Sequence, residues 1–374
     1  MQYKDILEPL NRQTSIREKL IHCHRVVQQY CPDIARIAVT LYDPATAILK
    51  TYLHSSGDDD PLSHYQTTLD KAPSLKSILD KGEPRVINNM LTFENAESAH
   101  TQRIGRQGYS ASYTLPMFYN GEFFGFIFFN SYETDIFTKP LLNELDVFAH
   151  LISLMVIDEM SSLRSLTAAL RTATHITHQR DTETGSHLDR MSRYSQLIAL
   201  KLAGKYKLSD EYVEHIFMFA PLHDIGKVAI PDSILLKKGP LDEQERKIMD
   251  THSNKGLEII DHMIANFKLS SIQHLQVLRN IALYHHESIN GEGYPEKLKA
   301  DKIPLEARIV AVADVFDALT SARPYKKAWD IDKAFKELEE LSGKKLDAEC
   351  VQILINHRDE VEKIMLQFTE NDLG

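Results

Sequence analysis

Apolar positions recur at helical spacing at the start of the chain. Residues from about 4 to 30 place Ile6, Leu10, Ile16, Leu20 and Val27 among the spaced positions of one amphipathic helix. The pattern then changes period. Ala35–Tyr42 alternates and is rich in β-branched residues, which predicts a strand. Asp43-Pro44 turns it, and Ile48–Leu53 reads as the return strand of a hairpin. Gly57-Asp58-Asp59-Asp60-Pro61 is a polar loop, Leu75–Leu79 a short helix, and Gly82–Ile87 follows as GEPRVI. The most β-like stretch is Ala111–Ser131, where SYTLPMFY and EFFGFIFFN flank Asn120-Gly121, a strong hairpin signal. The first third is therefore expected to be α+β, an antiparallel sheet with flanking helices.

From Pro140 to about Arg180 no Gly or Pro interrupts the chain. Leu142, Leu145, Ala149, Ile152, Val156, Leu163, Leu166, Leu170 and Ala173 fall on a and d positions of one heptad frame, with Glu159 the polar break. That spacing predicts a connecting helix of roughly 60 Å, at about 1.5 Å per residue, and suits a parallel coiled-coil homodimer. The competing reading is a helix packed on its own domain. The organisation expected is thus residues 1–139, a connecting helix over 140–180, and a helical domain over 181–374.

Composition narrows the class. The 374 residues, 43% of them hydrophobic, can bury two cores of ordinary size. Three cysteines without CxxC pairing argue against a disulfide framework and fit a reducing cytoplasm. The longest uninterrupted apolar runs, Phe123–Phe129 and Leu151–Ile157, are too short to span a bilayer, and MQYKDILEPLNRQ lacks a signal-peptide core, so no membrane insertion is expected. A net charge of −10 disfavours a grip on long nucleic acid but leaves room for a small phosphorylated ligand.

Candidate chemistry concentrates in the second half. Pro221–Lys227 reads PLHDIGK, in which His223 and Asp224 pair an imidazole with a carboxylate at the end of a buried helix (Ile216–Phe219). Gly226 then permits a sharp turn, and Lys227 is a compact cation suited to phosphate. Glu183 and His187 share one helix face at a spacing of four. Pro231–Leu235 and Gly239-Pro240-Leu241 read as loop, Asp242 caps the next helix, and His252 stands on it. A helix over Leu275–Tyr284 ends in His285-His286-Glu287, whose adjacent imidazoles are placed to serve two metals of one cluster. The loop HHESINGEGYP follows. Beyond Arg308, helix Ala307–Leu319 is apolar except for the carboxylates Asp314 and Asp317, and a carboxylate on such a face needs a partner, of which a metal is the simplest. His215, His262, His274 and His357 read as packing or surface residues, and His175 and His178 as exposed on the connecting helix. Trp329 is assigned to core packing, while Tyr294 is an equal candidate for stacking on a base. His22, Cys23 and His24 are read as helix-surface residues rather than a metal cluster.

Two resemblances follow from these motifs. The opening helix, the Ala35–Tyr42 strand, GEPRVINN and the Asn-Gly hairpin resemble a GAF domain, a sensing or relay module, though no ligand signature stands out. HD-x-G-K, HHE-x3-G-x-GYP and A-D-x-x-D-A-L-T-S…RPY resemble an HD-GYP domain, a subgroup of the HD metal-dependent phosphohydrolases, from about Thr182 onward. That resemblance implies an all-α phosphodiesterase that hydrolyses cyclic di-GMP to linear pGpG, and on to GMP where three metals bind, under a GAF-like sensor. It implies metal ligands Glu183, His187, His223, Asp224, His252, His285, His286 and Asp314. Catalytic roles fall to His223, Asp224 and Lys227, and substrate contacts to Lys227, Gly293, Tyr294, Arg323 and Lys326. The implied cofactor is two or three divalent ions, iron first and manganese as the alternative. Glu183 favours three. Asn290 and Ala322 depart from the family's usual acidic residues. The alternatives are a preference for 3′,3′-cyclic GMP-AMP, or a catalytically weak receptor that docks a GGDEF-domain cyclase.

Overall fold

In this computed structural model residues 5–56, 63–90, 107–178, 185–269, 272–321 and 328–369 are described. They form two compact units, one built on Met1–Ser161 and the other on Ser162–Leu208, Tyr212–Ser270 and His274–Gly374.

In the first unit the opening helix is shorter than its periodicity suggests. A single 3-10 turn at Glu8–Asn11 precedes α1, Ile16–Tyr30. The interruption is a capping box, because the Ser15 side chain accepts the Glu18 N–H while Glu18 accepts the Ser15 N–H, and this starts a new helix. Six strands follow: β1 Arg36–Asp43, β2 Ile48–Ser56, β3 Gln66–Thr68, β4 Arg85–Ile87, β5 Ala111–Tyr119 and β6 Glu122–Ser131, with α2, Pro73–Lys81, between β3 and β4. They make one antiparallel sheet in the order β3-β2-β1-β6-β5-β4. Asn120 and Gly121 join β5 to β6 with φ of 50° and 83°, the left-handed pair that a tight hairpin turn requires. The α+β architecture expected from the pattern is borne out.

Strand β1 sends Ile37, Val39 and Leu41 into a fully buried layer, and α1 packs on β1 and β2. Cys23 and His24 belong to this core rather than to the helix surface. His24 is bound by Ser55 Oγ at 2.8 Å and the Ile34 carbonyl at 2.9 Å, so it is a satisfied core histidine.

Helix α3 runs unbroken over Lys139–His178. Its expected seam residues Leu145, Ala149, Ile152, Val156, Leu163, Leu166 and Leu170 are buried within the single chain. Much of that stripe is thus packed against the chain itself, as in the competing reading of a helix packed on its own domain. Glu159, the polar break, accepts a hydrogen bond from Tyr52 Oη at 3.2 Å, and burial pushes its carboxyl up to about 7. By length and composition Lys139–Ala173 is apolar enough to cross a membrane, with a mean hydropathy of 1.5 in its most apolar 18-residue window. Counting uninterrupted apolar runs misses this, because single polar residues end a run without lowering the average much.

The described residues of the second unit are helical, apart from one isolated bridge between Ser342 and Leu346. The helices are α4 Gly185–Tyr206, α5 Asp210–Phe219, α6 Asp232–Leu235, α7 Glu243–Asp250, α8 His252–Asn266, α9 Leu275–Tyr284, α10 Leu305–Thr320, α11 Ile331–Leu341, α12 Ala348–Asn356 and α13 Arg358–Gln367. The expected all-α class is borne out. Helix α10 is the central rod, with Ala307, Ile309, Val310, Val312, Ala313 and Phe316 fully buried, and α4 and α9 both pack on it. Two local expectations change. Asp232–Leu235 is a helical turn instead of loop, and the helix that Asp242 caps stops at Asp250, so His252 opens a separate helix.

Candidate metal centre

His223 and Asp224 sit between two 3-10 turns, Ala220–Leu222 and Ile225–Ala229, at the end of the buried helix α5. Gly226 owes its place here to packing. Its φ is not left-handed, but a Cβ on it would lie 1.8 Å from the carbonyl oxygen of His252. Only a glycine lets the turn press against the start of α8, and this brings His252 Nε2 to 3.2 Å from Asp224 Oδ1. From sequence alone Gly226 is expected at a sharp turn. The structure assigns it a close backbone contact.

The end of α9 adds His285, whose Nε2 lies 3.5 Å from the same Asp224 oxygen and 3.5 Å from His252 Nε2. His286 stacks beside it, ring centroids 4.0 Å apart. Asp224, His252, His285 and His286 thus form one group of potential ligands, with donor atoms within 4.8 Å of one another. His187 from α4, His223 and Asp314 from α10 form a second such group. His223 Nε2 joins the two, 3.3 Å from Asp224 Oδ2 and 3.9 Å from Asp314 Oδ1. The adjacent imidazoles His285 and His286 fall in the same group of potential ligands, just past the end of α9 at Tyr284. Seven of the eight expected ligands therefore converge; Glu183 lies outside the described residues.

The donor set suits divalent metals in a way the hydrogen bonds make specific. His223 Nδ1 donates to the Ala220 carbonyl at 3.0 Å, His252 Nδ1 to Met249 at 2.9 Å and His285 Nδ1 to Ile281 at 2.9 Å. His187 Nδ1 lies 2.6 Å from Asp317 Oδ2. Each ring is fixed in the tautomer that leaves Nε2 as the ligating nitrogen. Burial lowers the pKa of His285, although Asp224 opposes it, and burial with the neighbouring His285 lowers that of His286 well below its usual value. Both rings are kept neutral, the form that binds metal. Burial alone would raise Asp224, but Lys227, His223 and His252 hold it well below the usual carboxylate range.

Other expected residues fare variously. Lys227 Nζ is 2.8 Å from Asp224 Oδ2, at the edge of the cluster. Tyr294 is half-buried, its ring 4.8 Å from that of His286, and Gly293 is buried beside it. Arg323 and Lys326, like Ala322, lie outside the described residues. Trp329 is half-buried under the Lys333 ammonium at 3.9 Å, and so is not a core residue. His215 is buried and belongs to neither ligand group, as expected of a packing residue. The side chains of His175 and His178 lie outside the described residues.

Two residues outside the expected ligand set support the cluster. Asp317 was noted as a second carboxylate on α10; it is fully buried and accepts from Arg190 Nε at 2.6 Å and Ser321 Oγ at 2.9 Å as well as facing His187. Its partners are a cation and an imidazole instead of a metal. Glu287, third in HHE, accepts the backbone N–H of Glu296 at 2.7 Å and Leu298 at 2.9 Å, and so ties down the loop that carries Tyr294. A Glu directly after two candidate ligands is the signal the sequence carries.

A short stretch of helices holding histidines and aspartates at this spacing has known counterparts. Residues 182–350 match the HD domain family. Over 190 residues the chain is 48% identical to the cyclic di-GMP phosphodiesterase response regulator RpfG of Xanthomonas campestris pv. campestris. That match covers 51% of this chain and 47% of the relative. It is 42% identical over 181 residues to the 3′3′-cGAMP-specific phosphodiesterase 2 of Vibrio cholerae serotype O1, covering 48% of this chain and 33% of that one. The chain thus matches about half or less of the length of these relatives. Among solved structures, the GAF domain/HD domain protein from Geobacter sulfurreducens aligns over 41% of this chain and 96% of that one, at 14% identity and a TM-score of 0.31.

Proposed function

We propose that the HD domain is a metal-dependent phosphodiesterase that opens a cyclic dinucleotide, with cyclic di-GMP as substrate and linear pGpG as first product. The observation that carries this reading is the convergence of His187, His223, Asp224, His252, His285, His286 and Asp314 into two ligand groups that meet at the His223–Asp224 pair. Divalent ions, when bound there, polarise phosphoryl oxygens and acidify a coordinated water toward neutral pH. Iron is the favoured ion and manganese the alternative, since imidazoles with carboxylates suit both. The chain's own residues orient the reaction. Asp224 lies against both groups and holds them together. Lys227, at its edge, is placed to exchange its contact with Asp224 for a phosphate oxygen, and Tyr294 offers a ring face beside His286 to a base. Arg323 and Lys326 are proposed as phosphate contacts, and Glu183 as a ligand for a third ion, on sequence grounds alone.

A second substrate has its own support. The 3′3′-cGAMP-specific enzyme of Vibrio cholerae is 42% identical across the matched region, so cyclic GMP-AMP is the competing ligand. Incubating the metal-loaded full chain with each dinucleotide and separating products by chromatography tests both. The expected result is linear product from cyclic di-GMP, lost in Asp224→Ala and His223→Ala. Turnover of neither dinucleotide by metal-loaded protein would refute the reading.

A further inference from the structure

Helix α13 stands on α4, with Lys201 Nζ 2.7 Å from Glu360 Oε1, and it stops at Gln367. The last carbonyls of a helix have no partner within it, so they look outward. Here the two residues past the helix end lie against the first turns of α4. The Phe368 carbonyl accepts Arg190 Nη1 at 2.8 Å, and the Thr369 carbonyl accepts Ser186 Oγ at 3.1 Å. A guanidinium at this end also answers the negative pole of the α13 dipole. Arg193, one turn beyond Arg190, lies over the Phe368 ring, 4.3 Å from its centroid.

These contacts land beside a metal ligand. Ser186 precedes His187 in the first turn of α4, and Arg190 follows His187 on the same face. Arg190 is buried, and its guanidinium reaches three elements at once. Nε meets Asp317 Oδ1 at 2.6 Å, Nη2 meets Ser321 Oγ at 2.7 Å, and Nη1 meets the Phe368 carbonyl. Asp317 Oδ2 faces His187 Nδ1 at 2.6 Å. Three hydrogen bonds in series therefore join the Phe368 backbone to the His187 ring.

An arginine side chain has many rotamers, and a fork held from one side alone can swing. Held by Asp317 on one side and Phe368 on the other, Arg190 keeps one orientation, and so does Asp317. The first turn of a helix is otherwise the part most prone to fray. We propose that Phe368 and Thr369 form a strap that positions His187, fixing its ring through Arg190 and Asp317 and its helical turn through Ser186. The inference rests on the reading of His187 as a metal ligand, and adds to it a segment that supplies no ligand itself.

The test is a titration of cobalt(II) into the metal-free full chain, with each binding step read from visible absorption. His187→Ala identifies the step that belongs to the group of His187, His223 and Asp314. Phe368→Ala unpins the strap from Arg193. It is expected to weaken that step about tenfold, the lower end for loss of an orienting partner, and to leave the other step unchanged. Ser186→Ala should weaken the same step about threefold, the loss of one neutral hydrogen bond. Phe368→Tyr, which keeps a ring over Arg193, should bind as wild type does. Equal weakening of both steps, or of neither, overturns the proposal and leaves the strap as helix-end packing. So does a wild type that has no cobalt step for His187→Ala to remove. Should Phe368→Ala fail to fold, Ser186→Ala decides, and an unchanged His187 step overturns the strap. The readout is independent of turnover. An inactive enzyme with the expected cobalt steps would refute the proposed function alone, and an active one with unchanged steps would refute the strap alone.

Discussion

Asp317 holds His187 by its Nδ1 at 2.6 Å and holds Arg190 by its Nε at the same distance, so one fully buried carboxylate serves both an imidazole and a guanidinium. The ion pair with Arg190 fixes Asp317, and Asp317 in turn fixes the ring of His187 with Nε2 directed to the ligand group it shares with His223 and Asp314. The arrangement is the carboxylate–histidine support typical of metal ligands. Burial alone would raise the Asp317 pKa, but the His187 and Arg190 contacts lower it, so the charge persists. Asp317→Asn is expected to weaken metal binding by about 10- to 100-fold. It also leaves Arg190 buried with a neutral partner, at a cost of about 3–5 kcal/mol. Metal titration and denaturant unfolding of the same variant measure both, and an unchanged metal affinity would show that His187 needs no orienting carboxylate.

Gly226 and Gly204 should respond in opposite senses to alanine. A Cβ at Gly226 meets backbone at 1.8 Å from His252 O and 2.5 Å from Gly256 N, and backbone on both sides leaves little freedom to yield. The HD turn must then move away from α8, separating Asp224 from His252. Gly226→Ala is expected to lose activity and metal together, with a stability loss of a few kcal/mol typical of overpacking. Gly204 lies exposed within α4 with open space around it. Gly204→Ala should stabilise by about 0.5–1 kcal/mol through helix propensity and leave turnover unchanged.

How much of this could be read from sequence differs between the two units. The β5–β6 hairpin was legible because Asn120-Gly121 imposes its own backbone geometry, and helix α9 because Leu275–Tyr284 is bounded by its histidines. The ligand set was legible because metal chemistry restricts the residue types. Asp317 escaped because a carboxylate's partner is decided in three dimensions, where Arg190 and His187 arrive from α4. The heptad frame of α3 is ambiguous for a related reason. Spacing defines which stripe is buried but not what covers it, and here the chain covers most of its own stripe. Likewise the capping box at Ser15 starts a new helix through local hydrogen bonding that apolar periodicity does not register.

His215 predicts a pH dependence. It is stacked on Phe219, its ring nitrogens have no hydrogen-bond partner among the described residues, and burial followed by the nearby His274 pushes its pKa down to about 3. The folded pKa is depressed below the unfolded value, so in acid the unfolded chain takes up a proton that the folded chain does not. Stability is unaffected above an unfolded pKa of about 6.5 and falls below it, by up to about 1.4 kcal/mol per pH unit, until about pH 3. His215→Phe should flatten the acid limb of the stability–pH curve. Urea unfolding between pH 5 and 7, at roughly half-unit steps around the histidine range, reads the slope; equal slopes in both proteins would place the acid sensitivity elsewhere.

Glu287 offers a way to separate the loop from the metals. Its two carboxylate oxygens accept the N–H groups of Glu296 and Leu298, on the far side of Tyr294, whose ring lies beside His286. Glu287 is itself buried, and it is absent from both ligand groups. Glu287→Gln keeps the volume but replaces one acceptor with an amide that cannot accept a backbone N–H. One of the two anchors is lost, at a cost of about 1–3 kcal/mol for the orphaned donor. The loop should loosen while the ligand cluster stays intact. If Tyr294 contacts the substrate, KM for the cyclic dinucleotide should rise several-fold, with metal content unchanged and kcat falling less than KM rises. A variant that loses metal in proportion to activity would instead make Glu287 a support of the cluster, and would remove the Tyr294 loop from substrate recognition.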